Sequence, residues 1–428
     1  MRTRTWVVAL AAAGLALSAC GSDGGDDGSS SGDDGSSTAE IRVWLNGTDT
    51  PDEARDYLKT TFESEHPGST LVIEEQSWTG LVDKLTTSLS GSDSPDIVEV
   101  GNTQAPAFTS AGAFMDLTDK YDDLGGDDLL PGFVAIGSYD GKFYAAPYYS
   151  GSRLVFYRTD MYQKAGLSVP TTLDEYVANG KALAKKFPGT SGIYFPGQDW
   201  YNALPYLWEN GGDIAVQGDD GSWAGALSTP GSIAGLEQIQ DVMTNASVAP
   251  KDGNEADAQV PFCENKIGQL SAPSWVKWSI LAPADADAPG CPKMEKNLGV
   301  FALPGKNGGA AQVFAGGSNI AISANSAHQD LAYDAFQIML SDDYQTMLGK
   351  IGLVPAKLSL ADTIGTDDAA KAAIAAASNA KLTPASPHWA DVEAQGILQD
   401  LFVQIAQGGD VKELAAAADE KISSILNG

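Results

Sequence analysis

Apolar and polar positions alternate with period two over residues 41–45, IRVWL, and β-favouring residues return in TLVIEEQ and DIVEV. These three stretches predict strands. Between the first two lies TPDEARDYLKTTFESEH, with Thr50 as N-cap, Pro51 at the first helical position and acids in the first turn, which marks a helix start. WTGLVDKLTTSL places apolar residues at i, i+3, i+4 and i+7 and predicts a second helix. Strand and helix alternate, so the opening region reads as βαβ units in a mainly parallel sheet.

Beyond GKFYAAPYYSGSRLVFYRTDMYQKAG the pattern changes. TLDEYVANGKALAKK predicts a helix capped by Thr172, and GIYF a short strand. DWYNALPYLWENGGD carries aromatics at helical spacing and stops at Gly211 and Gly212. TPGSIAGLEQIQDVMTNA predicts another helix. KIGQLSAPSW and NLGVFALPG read as strands or strand-turns, and FAGGSNIAISANSAHQDLAYDAFQIMLS as a strand followed by a helix. From about Pro387 onward the pattern is helical, and no internal repeat is present.

The first twenty residues differ from all of this. Arg2 and Arg4 precede an almost wholly apolar run, 6–19, that ends at Cys20. A charged start and an apolar stretch too short to span a bilayer comfortably predict a secretory signal at 1–20. The position of Cys20 resembles a bacterial lipobox, in which the cysteine is lipidated. An ordinary signal peptide with an incidental cysteine is the other reading. Residues 21–38 contain only Gly, Ser, Asp and one Thr. They cannot bury anything and predict a disordered tether with a reach of roughly 20–25 Å.

Removal of the signal leaves about 408 residues, too many for one core and enough for two lobes. The formal charge is −30, and losing Arg2 and Arg4 makes it more negative. Such a surface repels nucleic acid. With Cys20 lipidated, Cys263 and Cys291 form an even pair, which in an exported chain reads as a disulfide; two free buried thiols are the alternative. The three histidines are far apart and no C-x-x-C or H-x-x-H occurs, so neither a metal site nor a cofactor is expected.

Several separated motifs resemble one family. VWLNG is similar to its first strand and ligand loop. SPDIVEVGNTQAPAFTSAGAFMDLT resembles its PDI segment, and YDGKFYAAPYYSGSRLVFYRTDMYQKAGLSVPTTLDEY its central signature. ENGGD, SAPSW, FAGGSNIAIS and GLVPA follow in the family's order. The chain thus resembles extracellular solute-binding proteins (family 1) of carbohydrate ABC transporters, the group that includes maltose-binding protein. The resemblance implies a two-lobed α/β periplasmic-binding-protein-like fold of class II type, with a multi-strand hinge and an interlobe cleft. It places the first lobe at 39–147 plus 312–341 and the second at 148–309 plus 342–428. It implies a monomeric, non-enzymatic lipoprotein on the extracytoplasmic face of the cell membrane. Such a protein captures a neutral oligosaccharide of two or three sugars by lobe closure and delivers it to permease subunits. The only membrane contact would be the lipid anchor.

A sugar ring needs flat aromatics for its C–H face and polar side chains for its hydroxyl rim. By resemblance, Trp275 in APSW is the stacking tryptophan, and Trp389 matches a second cleft aromatic. Asp199 and Tyr201 match an acidic and an aromatic ligand residue, while Trp200 stacks or faces the core. Trp44 and Trp208 read as core, and Trp278 as packing. On the first lobe, Asn46, Thr48 and Asp49 follow the first strand, the usual cleft position at a strand's carboxyl end. Asn102 and Gln104 lie in GNTQ, where the family often carries charges; the neutral Thr103 and Gln104 imply a different hydroxyl pattern. Trp78 flanks the second strand, where packing is equally open. Tyr148 and Tyr149 sit at the crossover as ligand or hinge residues. Gly316, Gly317 and Ser318 either let backbone N–H groups approach the ligand or form a plain turn.

Two rivals differ in class. A secreted glycoside hydrolase needs two placed carboxylates, and no hydrolase motif surrounds any here. A binding protein of the same fold for polyamines, metals or peptides would want more clustered acids or metal ligands.

Overall fold

The computed structural model describes residues 38–286 and 289–428. The signal run, Cys20 and the tether up to Ser37 lie outside the described residues. Thr38–Gly428 forms one compact unit.

Strands β1 (Glu40–Asn46), β2 (Thr70–Gln76) and β3 (Ile97–Gly101) lie parallel in the order β3-β1-β2. β1 is buried at almost every position from Ile41 onward, as a strand covered on both faces must be. Helix α1 (Asp52–Glu65) buries Ala54, Leu58 and Phe62, and α2 (Leu81–Leu89) buries Leu81, Leu85 and Leu89. Both stripes have the i, i+4 spacing of one helix face. α1 begins one residue later than expected, with Pro51 at the cap. The Thr50 hydroxyl is engaged elsewhere, 2.7 Å from the Tyr148 hydroxyl.

The parallel arrangement stops there. β4 (Ala145–Arg158) is a 14-residue strand whose partners are all antiparallel. Its second half pairs with β5 (Gln269–Pro273) and β6 (Leu298–Phe301); its first half pairs with β7 (Ala315–Ile322), and its middle with β8 (Val354–Pro355). β7 in turn pairs antiparallel with β3, giving the order β6-β4-β7-β3-β1-β2. The sheet is therefore mixed, not mainly parallel. GIYF also departs from expectation: only the isolated bridges of Ser191 and Tyr194 form there.

Two hydrophobic cores divide along β4. Ala146, Tyr148 and Tyr149 belong to the core that holds Ile41, Leu58 and Phe336. Leu154, Val155 and Phe156 belong to the core that holds Trp200, Leu236 and Phe402. One strand thus feeds both lobes and links them. Two segments expected in the second lobe have side chains in the first core. Tyr148 packs in the first core, and so does the helix Asp342–Lys350 through Tyr344 and Leu348. A hydrogen bond of 2.6 Å between the hydroxyls of Tyr148 and Tyr344 joins these segments.

Cys263 and Cys291 are disulfide-bonded, with Cα atoms 5.6 Å apart. The closed loop contains β5 and Trp275. Among the described residues no helix is long and apolar enough to cross a membrane. Among the same residues no cluster of three or more His, Cys, Asp or Glu side chains is placed to hold a metal ion.

Candidate functional site

A cavity of about 400 Å³ opens where β4 and β7 pass between the lobes. Its first wall comes from the loops after β1, β2 and β3: Asp49, Trp78, Asn102, Thr103 and Gln104. Tyr149, Gly316 and Gly317 form the floor, and Arg153, Tyr201, Glu255, Trp275 and Phe314 the second wall. A further cavity of about 340 Å³ lies on the opposite side of β4, against Leu154 and Phe156. Trp278, expected to pack, is exposed there. The buried polar atoms Arg153 Nε and Gln104 Oε1, which have no protein partner, belong to the first cavity, so the chemistry lies in the cleft.

Trp275 is held by two glycines. Gly151 and Gly316 face each other in the β4–β7 register. A Cβ on Gly151 would stand 2.1 Å from the Trp275 ring, and one on Gly316 would stand 2.9 Å from it. The indole can lie against the hinge strands only because both positions lack side chains. Gly317 has φ +132° and sits too close to the Tyr149 carbonyl for any Cβ. Sheet geometry therefore accounts for these glycines, and a plain turn does not.

In the second wall, the Arg153 side chain is 2 % exposed and spans two acids. It forms a two-pronged pair with Glu255, lies 3.4 Å from Asp199 and donates to the Ser271 carbonyl at 3.2 Å. Asp199 also caps the helix α3 (Trp200–Glu209) by accepting from the Asn202 N–H. Burial and the neighbouring Glu255 push the Asp199 carboxyl up, against the pull of Arg153. The Tyr201 ring lies 6.0 Å from the guanidinium and 4.7 Å from Phe314. Its hydroxyl is 3.4 Å from Glu393, whose carboxyl burial pushes up to about 7.

Beneath the first wall sits Glu99, fully buried on β3. Its Oε2 accepts from the Asn46 N–H at 2.7 Å, and its Oε1 lies 2.5 Å from Ser318 Oγ and 3.0 Å from the Tyr149 hydroxyl. That hydroxyl is also 3.2 Å from Asp49 Oδ2, which accepts from Trp78 Nε1 at 3.3 Å. Burial raises the carboxyls of both acids, Glu99 to about 7.

The structure thus brings Asp49, Trp78, Asn102, Gln104, Tyr149, Tyr201, Trp275 and Gly317 to one cavity. It moves the other candidates off its surface. Asn46 and Ser318 lie behind the floor on Glu99, and Asp199 lies behind Arg153. Tyr148 is buried in the hinge between Thr50 and Tyr344. Thr48 is exposed and does not line the cavity. Trp200 and Trp389 are core residues: Trp389 is 0 % exposed, and the two rings pack 6.0 Å apart. Sequence reasoning missed Glu99, Arg153, Glu255 and Phe314. The first two carried a signal, since each is a lone charge inside an apolar stretch, IVEVG and SRLVFY. Glu255 and Phe314 lie in loops with no such mark.

Comparison with known proteins bears on this cleft. The family model described as bacterial extracellular solute-binding protein matches residues 46–346. The chain is 34% identical to the diacetylchitobiose binding protein DasA of Streptomyces coelicolor, over 91% of each chain. Among solved structures, the sugar-binding protein MalE from Xanthomonas citri aligns with a TM-score of 0.77 at 21% identity, covering 90% of this chain and 97% of that one. The GacH receptor of Streptomyces glaucescens aligns with a TM-score of 0.75 at 23% identity, covering 91% and 98%.

Proposed function

The chain belongs to the bacterial extracellular solute-binding proteins, and from that premise we propose that it captures a neutral oligosaccharide between its lobes and delivers it to an ABC permease. Membership makes it a binding protein and not an enzyme, working outside the cytoplasm. The observation that carries the sugar reading is the Trp275 platform. An indole laid on two glycines offers a flat apolar face of the kind that stacks on sugar C–H groups. Around it, Asp49, Asn102 and Gln104 on one wall and Arg153 and Glu255 on the other supply acceptors and donors for a hydroxyl rim.

Binding closes the lobes because only the closed form lets the ligand touch both walls, and that differential affinity shifts the population. Both walls come from one chain, so a monomer suffices. Cys20 anchors the protein through lipid, and residues 21–38 hold it off the membrane. The ligand to test first is a β-linked disaccharide of N-acetylglucosamine, since the relative at 34% identity is a diacetylchitobiose binding protein.

The test is a calorimetric and thermal-shift titration of the chain from Thr38 onward. The ligands are N,N′-diacetylchitobiose, cellobiose, maltose and trehalose. Saturation at one hundred times the dissociation constant stabilises by about 2.7 kcal/mol. Preference for diacetylchitobiose over cellobiose supports recognition of the acetamido groups. A response to polyamines, peptides or phosphodiesters, with none to any neutral sugar, overturns the reading. No chromogenic glycoside is turned over.

A further inference from the structure

We propose that Glu99 is the positioning residue of the first wall: by holding or releasing a proton it sets which way the Tyr149 hydroxyl points, and so whether Asp49 meets the ligand with that donor already bound. The inference rests on the cleft being the ligand site, but its first test needs no ligand.

The Tyr149 hydroxyl touches Glu99 Oε1 at 3.0 Å and Asp49 Oδ2 at 3.2 Å. A phenol has one hydrogen to give. With both carboxylates ionised, one of these two contacts sets oxygen against oxygen with no hydrogen between. A proton on Glu99 removes the conflict. Glu99 then donates to the Tyr149 oxygen, and Tyr149 donates onward to Asp49. The Asn46 N–H and the Ser318 hydroxyl continue to donate to Glu99 in either state. When Glu99 loses its proton to solvent, Tyr149 turns its hydrogen inward. Asp49 then keeps only the Trp78 indole N–H as a side-chain donor and faces the phenol's lone pairs.

The surroundings put this exchange within reach of ordinary pH. Around Glu99 stand Asp49 from the loop after β1, Tyr148 and Tyr149 from β4, Ser318 from β7 and Tyr344 from the helix Asp342–Lys350. Arg55 on α1 acts on Asp49 and Tyr344. Among the described residues no cation hydrogen-bonds Glu99, so burial and the Asp49 charge outweigh its neutral donors and lift it to about 7.

The first measurement follows the Trp78 indole N–H of the ligand-free chain by nitrogen–proton NMR from about pH 5.5 to 8.5. Trp78→Phe assigns the resonance. The wild type is expected to shift with a midpoint near 7, whereas Glu99→Gln, which keeps a donor in place of the proton, and Tyr149→Phe do not shift. The second measurement titrates N,N′-diacetylchitobiose over the same range. Wild-type affinity falls roughly 3- to 10-fold as Glu99 ionises, the worth of one hydrogen bond. Glu99→Gln holds the acid-side affinity throughout. No titration at Trp78 in the wild type overturns the proposal. So does an unchanged titration in Tyr149→Phe, which would mean that Asp49 senses Glu99 through space. If Glu99→Gln does not fold, Tyr149→Phe decides alone. Absence of sugar binding beside a normal Trp78 titration sinks the sugar reading and leaves the relay standing.

Discussion

The two walls of the cleft are built by different means, and each rests on a different kind of buried acid. The first wall uses residues within a few positions of the ends of β1, β2 and β3. The second gathers Arg153, Tyr201, Glu255, Trp275 and Phe314 from five separate segments. Under the first wall, Glu99 is held by neutral groups of Asn46, Ser318 and Tyr149. Under the second, Asp199 shares Arg153 with Glu255. Ion pairing holds the second wall together. The first wall has no such clamp and can change its hydrogen-bond polarity by one proton. The second wall therefore suits a rigid apolar platform, and the first suits hydroxyl readout.

The largest expected effect breaks the clamp. Arg153→Met leaves the buried Asp199 and the half-buried Glu255 without their cation, which costs about 3–5 kcal/mol of stability. A thermal melt checks this, and an unchanged melting temperature would show that the second wall is not held by charge. Next comes the brace. The disulfide closes the segment carrying β5 and Trp275, at a sequence separation of 28. In the chain-entropy model the paired change Cys263→Ser and Cys291→Ser removes about 3–4 kcal/mol. Denaturant unfolding measures that loss, and sugar titration shows whether the platform loosens with it.

Trp275→Ala should weaken sugar binding roughly 30- to 1,000-fold, as loss of a central aromatic anchor does. Asp49→Ala should cost less, because a partly exposed hydrogen bond is worth only about 1 kcal/mol. Equal losses from the two would erase the contrast between platform and readout. Gly151→Ala should act through Trp275, since the new methyl meets the ring, and should weaken binding more than it lowers the melting temperature.

The smallest effect is on stability against pH. The folded carboxyl of Glu99 stands at about 7, above its ordinary value of 4.5. The folded state therefore binds that proton more tightly than the unfolded chain. Its contribution to stability is full below about 4.5 and is lost as pH rises through about 7. Asp199 is raised as well and acts in the same direction. The melting temperature should fall by a few degrees between about pH 5 and 8. Glu99→Gln should flatten part of that slope.

Much of the first wall was legible because strand, loop and ligand position are neighbours in the chain. Asp49, Asn102 and Gln104 follow predicted strands and line the cavity. Thr48 and Asn46 show the limit of the same argument: one points to solvent and the other supports Glu99. The second wall was less legible. Trp200 and Trp389 have the same chemistry as Trp275, yet they pack against each other inside the second core. A tryptophan's side of a helix depends on what that helix packs against, which its own segment does not contain. Similarly, Tyr148 and Tyr149 are adjacent on β4, and alternation along a strand sends one into the hinge and the other into the cleft.

By itself the sequence determined the two-lobed α/β class, the opening strand–helix alternation, the pairing of Cys263 with Cys291 and a cleft wall at the ends of the first strands. The alternation follows from local periodicity, the cysteine pair from residue counts, and the two-lobed class with its cleft from chain length and from the motifs that resemble the family. Only the tertiary structure decided that β4 runs through both lobes, that Gly151 and Gly316 make the seat of Trp275, and that Arg153 sits between two acids. It also decided that Glu99 and Asp49 meet one tyrosine hydroxyl. Each of these depends on distance between residues far apart in the chain, and hydrogen bonds, steric contact and Coulomb forces act over distances in space.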